Sequence, residues 1–534
     1  MTATIQVVLL LLAVLVVIAV VAQRLKLAPS ILLVIAGIAL ALVPGLPPIE
    51  LAPELVLLVL LPPLIYSAGV SMSWREFRFN LRPITLLAFG CVVFTTCAVA
   101  VAMHHLLGWP WGVAFALGAI VAPPDVVAPL AIARRLALPH RLLVVLEGEG
   151  LANDATALIL YRFAVVAVTA GSFSFADAAG AFGLIVVGEI IYGIGVGWLS
   201  LRLRQWARNP RVEITLSLMT PYLAYWIPQH LGGSGVLATV ACGLYVSWNG
   251  PRLISAATRL QGIFFWDLMI YVIEGFVFLL TGLQARTLIE RTHGFSIADL
   301  LIGTAIITAV VIAARFAWMF PATDLPRRAW SRLAHRDPAP NWKYQFLLAF
   351  TGVRGVVSLA AALALPFATA DGTPFIEREV ILFITFGVIL VTLVGQGLML
   401  PTVIAWLGLA RDGKAERRRE RIAELAARRD AVQSAYDHLE RIGKERQLSK
   451  RVLALLKERH AHRVSQLPDN LDDDLSVAML NADVQLELIA AEREFIYRLL
   501  RDGKITDEAR RRIERELDLE ESTIEARRSE RPPL

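Results

Sequence analysis

The sequence predicts an all-α polytopic membrane protein of about thirteen transmembrane helices, followed by a helical cytoplasmic domain. Of its 534 residues, 56% are hydrophobic, and the mean hydropathy is +0.59. The charges are also unevenly placed: 54 of the 124 residues in 411–534 are charged, against 44 of the 410 residues in 1–410. A soluble protein carries about 25% charged residues. Residues 1–410 are too poor in charge to cover a soluble surface.

This division predicts two domains, a transmembrane domain at 1–410 and a charged helical domain at 411–534, for which we expect a regulatory role. About 20 apolar residues are needed to cross the hydrocarbon layer, and short polar or Arg-containing turns separate segments of about that length. We predict spans near 5–22, 30–46, 51–71, 83–106, 111–133, 142–169, 178–201, 212–228, 233–248, 262–283, 297–320, 344–366 and 379–408.

The basic residues predict the orientation of these spans. Nineteen Lys and Arg residues fall in the loops on one side, against three on the other. Cytoplasmic loops retain Lys and Arg, which predicts a plasma (inner) membrane protein with its N-terminus outside and its C-terminus in the cytoplasm. The net charge of +6 lies entirely within residues 1–410, so it indicates this arrangement and not a nucleic-acid partner.

The fifth span contains the run VAPPDVVAPLAIARRL, in which three prolines flank Asp125. Proline removes a backbone donor and breaks a helix. An interrupted membrane helix exposes carbonyls and helix ends that can coordinate a cation. Alternatively, Asp125 caps the half-helix that follows, and the two roles are compatible.

The sixth span begins with EGEGLANDATALILYRF, which places Glu147, Glu149, Asn153 and Asp154 within eight residues. An ionisable group at mid-bilayer costs about 2.5–3.5 kcal/mol on insertion scales, so such groups face a partner or a substrate path. Glu147 is close to Arg141 and is expected at the membrane interface. Asp154 is deeper and has no basic neighbour one helical turn away, so we expect a functional carboxylate there.

A second interrupted span is predicted around Arg354, which lies between Gly352 and Gly355. Two broken helices in corresponding positions are typical of transporters built from inverted repeats. A buried Arg needs a carboxylate or several carbonyls. Glu149 is a partner for either Arg315 or Arg354, and the sequence does not choose between them.

Four motifs together resemble the monovalent cation/proton antiporter family, the bacterial sodium/proton exchangers related to those of animals and plants. They are VAPPDVVAPLAIARRL, EGEGLANDATALILYRF, EGFVFLLTGLQ and TGVRGVVSLAAALALP, and the resemblance extends over essentially the whole chain, including the charged C-terminal domain. Two positions differ from the family pattern. Gly150 replaces a Ser whose hydroxyl often binds the cation in relatives, and Pro124 replaces a Thr.

The resemblance implies a site and a mechanism. Asp154, beside Asn153, would bind the transported Na⁺ or the proton, and Asp125 at the crossing of the two interrupted helices would complete the Na⁺ site. Arg354 and Arg315 would balance buried carboxylates such as Glu149. Asn153 stands where electrogenic relatives carry a second Asp, which implies electroneutral exchange.

The expected function is therefore exchange of Na⁺ for H⁺ by alternating access, for sodium and pH homeostasis. Li⁺ and K⁺ remain candidate cations, and a K⁺/H⁺ antiporter of the same fold is the alternative. We expect a homodimer in the lipid membrane, with no cofactor and no nucleic-acid partner.

Three other functions are less well supported by the sequence. A cation channel would need no competition between proton and cation at one carboxylate. A membrane enzyme is disfavoured because the nine histidines are predicted at span ends, in loops or in the tail without an HExxH motif, and the three cysteines have no CxxC spacing. A cytoplasmic domain that is merely anchored would not need thirteen spans.

Overall fold

The computed structural model describes residues 2–44, 51–170, 175–292, 295–329, 340–368, 375, 377–447, 449–465 and 474–529. Within these ranges the protein is helical and contains no β-strand. The prediction of an all-α protein is therefore confirmed for this part of the chain. Arg332 and Arg336, two of the basic loop residues used for the orientation, lie outside the described residues.

Eighteen α-helices are described before residue 409, and five of them adjoin one of three short π-helical turns. The helices are α1 (Thr2–Leu25), α2 (Pro29–Ala41), α3 (Leu61–Ser71), α4 (Trp74–Phe79), α5 (Leu81–Thr85), α6 (Val92–Leu107), α7 (Trp111–Val121), α8 (Val127–Arg135), α9 (His140–Ala170), α10 (Phe175–Ala207), α11 (Pro210–His230), α12 (Val236–Leu253), α13 (Ala256–Arg291), α14 (Ile297–Ala329), α15 (Trp342–Phe350), α16 (Val356–Leu363), α17 (Glu377–Leu390) and α18 (Gly397–Leu407). The π-helical turns are Leu55–Leu60, Leu86–Cys91 and Val391–Gln396.

Within the described ranges, seven helical segments are long and apolar enough to cross a membrane, and shorter apolar helices lie between them. Each of the thirteen predicted segments overlaps at least one described helix, but 212–228, 233–248 and 344–366 overlap none of these ten apolar segments. The main difference is length. For example, α13 has 36 residues, although only 262–283 was predicted, because its polar ends continue the helix without adding to the apolar signal.

Two of the predicted segments are broken in the middle. The chain leaves helical geometry between α7 and α8, where Pro123 and Pro124 supply no backbone donor. It does so again between α15 and α16, around Gly352 and Gly355. Both breaks lie where the sequence predicts them.

Close helix packing supports this arrangement. A Cβ added at Gly37 of α2 would lie 2.9 Å from the Cα of Gly282 in α13, so these two backbones are in direct contact. Small residues allow this approach in membranes, where association depends on packing. Two large clusters of buried apolar side chains complete the interior, one including Leu117, Val240 and Leu382 and the other including Val34, Leu279 and Leu359.

The chain divides into two compact units, Met1–Lys414 and Ala415–Leu534. The helices from residue 409 onward are α19 (Leu409–Glu445), α20 (Lys450–Ser465), α21 (Asp474–Arg501) and α22 (Asp507–Ser529). In the second unit, α21 and α22 pack through Ile489, Leu517 and Ile524. Arg493 joins them through contacts of 2.5 Å to Asp518 and to Glu521.

Candidate cation-binding site

The two helix breaks are hydrogen-bonded to each other. The backbone N–H of Asp125 donates to the Val353 carbonyl at 2.6 Å. In return, Arg354 Nε donates to the Val121 carbonyl at 2.7 Å and Nη2 to the Ala122 carbonyl at 3.2 Å. The Arg354 guanidinium is fully buried, and its Nη1 also donates to the Gly352 carbonyl. The interrupted segments therefore meet at one point, as the resemblance implied.

Charges of opposite sign lie at the helix ends created by these breaks. Arg354 binds the carbonyls at the C-terminus of α7, where the helix dipole is negative. Asp125 Oδ1 accepts a hydrogen bond of 2.9 Å from the N–H of Val127 at the start of α8. A Cβ at Gly355, directly before α16, would collide with the Asp125 carboxylate. The predicted capping role of Asp125 is thus present in the structure.

Asn153 and Asp154 of α9 lie beside the first break. The Asn153 side chain is buried and its Nδ2 donates to the Pro124 carbonyl at 2.6 Å, while its Oδ1 accepts from the Asp154 N–H at 2.7 Å. Asp154 lies within electrostatic range of Asp125. Both aspartates are partly exposed, whereas Asn153 is buried and holds the broken segment in place.

Glu149 forms an ion pair with Arg315 and not with Arg354. Its two carboxylate oxygens accept hydrogen bonds of 2.5 and 2.9 Å from the two Nη atoms of Arg315. Both side chains are buried, and Arg315 Nε also donates to the Leu348 carbonyl at 3.0 Å. The choice that the sequence left open is resolved by geometry, since backbone carbonyls take the donors of Arg354.

Gly150 lies directly under a neighbouring side chain. A Cβ at this position would collide with Cγ2 of Val126, in the first break. Val126 therefore occupies the space next to α9 that the side chain of a Ser would need. Glu147, two residues before Glu149, pairs with the exposed Arg134, in keeping with its expected place near the interface.

One supporting residue was not found by sequence reasoning. Thr392, in the last π-helical turn, accepts a hydrogen bond of 3.0 Å from the Arg354 N–H and donates to the Val388 carbonyl. No local sequence signal marks a π-helical turn, so its role could not be inferred. The buried Glu189 accepts from the N–H groups of Ser234, Gly235 and Ala238 at the start of α12.

Two arginines assigned to loops are instead buried in helices. Arg204 in the last turn of α10 donates to the Tyr66 hydroxyl at 3.0 Å. Arg378, in the first turn of α17, donates to the carbonyls of Leu363 and Leu365 just at and beyond the end of α16. Counting loop charges missed these roles, because the count assumes that an Arg near the end of a span faces water.

The chain is similar to known proteins over most of its length. The model of the family described as sodium/hydrogen exchanger, transmembrane, matches residues 10–406. An uncharacterised Na⁺/H⁺ exchanger of Mycobacterium tuberculosis is 34% identical, covering 93% of this chain and 92% of that protein. The Na⁺/H⁺ antiporter ApNhaP of Aphanothece halophytica is 32% identical, covering 80% and 78%.

A further relative and a solved structure are also similar to this chain. The sodium, potassium, lithium and rubidium/H⁺ antiporter of Bacillus pumilus is 34% identical, covering 68% of this chain and 56% of that protein. Among solved structures, the sodium proton antiporter MjNhaP1 of Methanocaldococcus jannaschii matches with a TM-score of 0.59 at 19% identity, covering 77% of this chain and 98% of that one. The structural match establishes a shared fold.

Proposed function

This chain belongs to the sodium/hydrogen exchanger family of cation/proton antiporters, which are not enzymes, and from that premise we propose that it exchanges Na⁺ for H⁺ by alternating access, in sodium and pH homeostasis. The observation that carries the proposal is the meeting of two broken helices at Asp125, beside the Asn153–Asp154 pair. Broken membrane helices of this kind form the ion sites of secondary transporters.

Asp154 is the carrier of the transported ion. Its partly exposed carboxylate can be neutralised by a proton or by Na⁺ but not by both, and a bare charge is unfavourable in the low-dielectric interior. Competition for this group links the two fluxes. Asp125 supplies the second carboxylate, and Asn153 holds the break at Pro124 close to α9.

We assign the rest of the chain to the same alternating-access transporter. Thirteen spans, with breaks in the fifth and the twelfth, form two inverted repeats that rock around the site. Residues 1–410 carry out transport and residues 411–534 form a cytoplasmic regulatory domain. The N-terminus lies outside the plasma membrane, and two copies form a homodimer.

The transported cation is Na⁺, with K⁺/H⁺ exchange as the alternative. The alternative is supported by the name of the Bacillus pumilus relative, which includes four alkali cations. It is also supported by Gly150, which supplies no hydroxyl, and by Val126, which covers its position. A site with fewer oxygen ligands favours a cation that is dehydrated more easily.

The first test replaces the carrier carboxylate. In proteoliposomes with an internal pH dye, we expect wild-type protein to move protons when Na⁺ is added, and Asp154→Asn to abolish this flux. The matched control is Asp299→Asn, because Asp299 is an exposed carboxylate in the first turn of α14. Size-exclusion chromatography would establish that both variants fold. Retained exchange in Asp154→Asn would refute the role of this residue, and the absence of exchange in wild type with any alkali cation would refute the function.

A further inference from the structure

A cleft lies where the linker between α1 and α2 meets the end of α8 and the start of α18. It contains about 320 Å³ of empty space, including the part open to the outside. Its apolar walls include the side chains of Leu27, Ile31, Ile132 and Leu398. The cleft is separate from the carboxylate site and has no part in the exchange mechanism described above.

Two cations, Lys26 and Arg135, line this cleft, and none of its lining residues is acidic. The guanidinium of Arg135 donates to the Lys26 carbonyl, so the two residues are held together. Lys26 has a φ of +56°, the left-handed region that non-glycine residues rarely occupy. The linker therefore adopts an unfavourable backbone conformation that places an ammonium and a guanidinium at one opening.

Neither positive charge is compensated by an acid in the described part of the chain. Lys26 is exposed and no described carboxylate pairs with it, and Arg135 uses one of its five N–H donors on the Lys26 carbonyl. Apolar side chains are exposed there as well, with 44% of Leu398 in the lining and 58% of Leu25, the residue before Lys26, accessible. In a membrane protein such side chains face acyl chains.

We propose that this cleft binds the headgroup of an anionic phospholipid. The phosphate would lie between Lys26 and Arg135, and the upper acyl chain would contact Leu398 and the apolar wall. Basic pockets between membrane helices bind lipid headgroups in this way, and each Lys or Arg near the surface contributes about 1 kcal/mol. The apolar walls favour a lipid over free phosphate, which has no apolar part to bury.

The test uses the purified full-length chain in neutral detergent, with bound lipid counted by native mass spectrometry. We expect phosphatidylglycerol to bind tighter than phosphatidylcholine with the same acyl chains, because only the first carries net charge. Lys26→Gln/Arg135→Gln should weaken phosphatidylglycerol binding by roughly thirtyfold, from the contribution of two cations. The matched control is Arg24→Gln/Arg252→Gln, two exposed arginines that do not line the cleft.

The outcomes separate the sources of the anion. The proposal would be overturned if the two lipids bound equally, or if Lys26→Gln/Arg135→Gln bound phosphatidylglycerol with unchanged affinity. It would also be overturned if inorganic phosphate displaced phosphatidylglycerol at equal concentration. If the double variant does not fold, Lys26→Gln alone gives the test, with an expected loss of about fivefold. Since binding is measured without transport, a failed exchange assay leaves this result unaffected.

Discussion

At the residue scale, the buried arginines Arg315 and Arg354 of the membrane unit, Met1–Lys414, are stabilised by partners of two kinds. Arg315 is paired with a carboxylate, Glu149, whereas Arg354 is held by three backbone carbonyls that helix breaks leave without partners. The Glu149–Arg315 pair has no net charge and is buried, so it can stabilise the packing of α9 against α14. Asp125 and Asp154 are instead partly exposed, and in the proposed mechanism they bind the transported ion.

The Glu149–Arg315 pair gives a prediction about stability. Glu149→Gln leaves the guanidinium of Arg315 buried without a counter-charge, and breaking such a pair costs about 3–5 kcal/mol in free energy of unfolding. We expect a clear fall in the thermal unfolding midpoint, measured in detergent by tryptophan fluorescence. The control is Glu290→Gln, which breaks the exposed Arg286–Glu290 pair, worth about 0.3–0.5 kcal/mol. Equal midpoints in the two variants would contradict the assigned role of the buried pair.

Gly150 gives a second prediction at this scale. Gly150→Ser places a Cβ against Val126, and such overpacking costs about 1–3 kcal/mol. We expect a lower unfolding midpoint and slower exchange in this variant. Adding Val126→Ala removes the colliding methyl groups, so Gly150→Ser/Val126→Ala should recover most of the loss. A double variant that is no better than Gly150→Ser would show that Val126 is not the obstacle.

At the scale of elements, the crossing of the broken helices depends on a third element. The π-helical turn Val391–Gln396 places the Thr392 hydroxyl against the backbone N–H of Arg354. π-helical turns are rare and often occur at functional sites. Here the turn satisfies a backbone donor that the broken helix cannot satisfy itself.

This contact can be tested with two isosteric substitutions. Thr392→Val leaves the Arg354 N–H buried without an acceptor, at a cost of about 1–3 kcal/mol, so we expect reduced stability and reduced exchange. The control is Thr385→Val. Thr385 is also buried in the same run of helix, but its hydroxyl has no hydrogen-bond partner among the described residues. Its removal should be neutral or slightly stabilising, measured by unfolding midpoint and Na⁺-driven proton flux. A neutral Thr392→Val would contradict the proposed support.

The elements that the sequence predicts well are those with strong local causes. Consecutive prolines before Asp125 and paired glycines around Arg354 both disfavour a continuous helix locally, so both interruptions could be located from the sequence. The partner of Arg315 depends on how α9 and α14 pack, which no local pattern encodes. The contact between Gly150 and Val126 and the π-helical turn at Thr392 likewise arise from packing over distances that the sequence alone does not reveal.

At the scale of the whole molecule, the distribution of charge is consistent with transport in the membrane unit. Residues 1–410 contain 44 charged residues, and those that are buried in the described ranges lie near helix ends, in the Glu149–Arg315 pair or, in the case of Glu189, in the middle of α10. The helical hairpin of α21 and α22 is instead joined by surface ion pairs of Arg493. We expect the unit formed by Ala415–Leu534 to adjust the rate of exchange and not its stoichiometry.

The stoichiometry is predicted by the one carrier carboxylate. In the mechanism proposed above, Asp154 alone alternates between proton and cation while the neutral Asn153 amide donates to the Pro124 carbonyl, so both half-cycles should move the same charge and exchange should be electroneutral. If a net charge moved instead, a potential of 100 mV would contribute about 2.3 kcal/mol per charge and would alter the flux strongly. We therefore expect proton flux driven by Na⁺ in proteoliposomes with equal K⁺ on both sides to be unchanged when valinomycin collapses the potential. Strong stimulation by valinomycin would show that exchange is electrogenic and that a second charged group takes part.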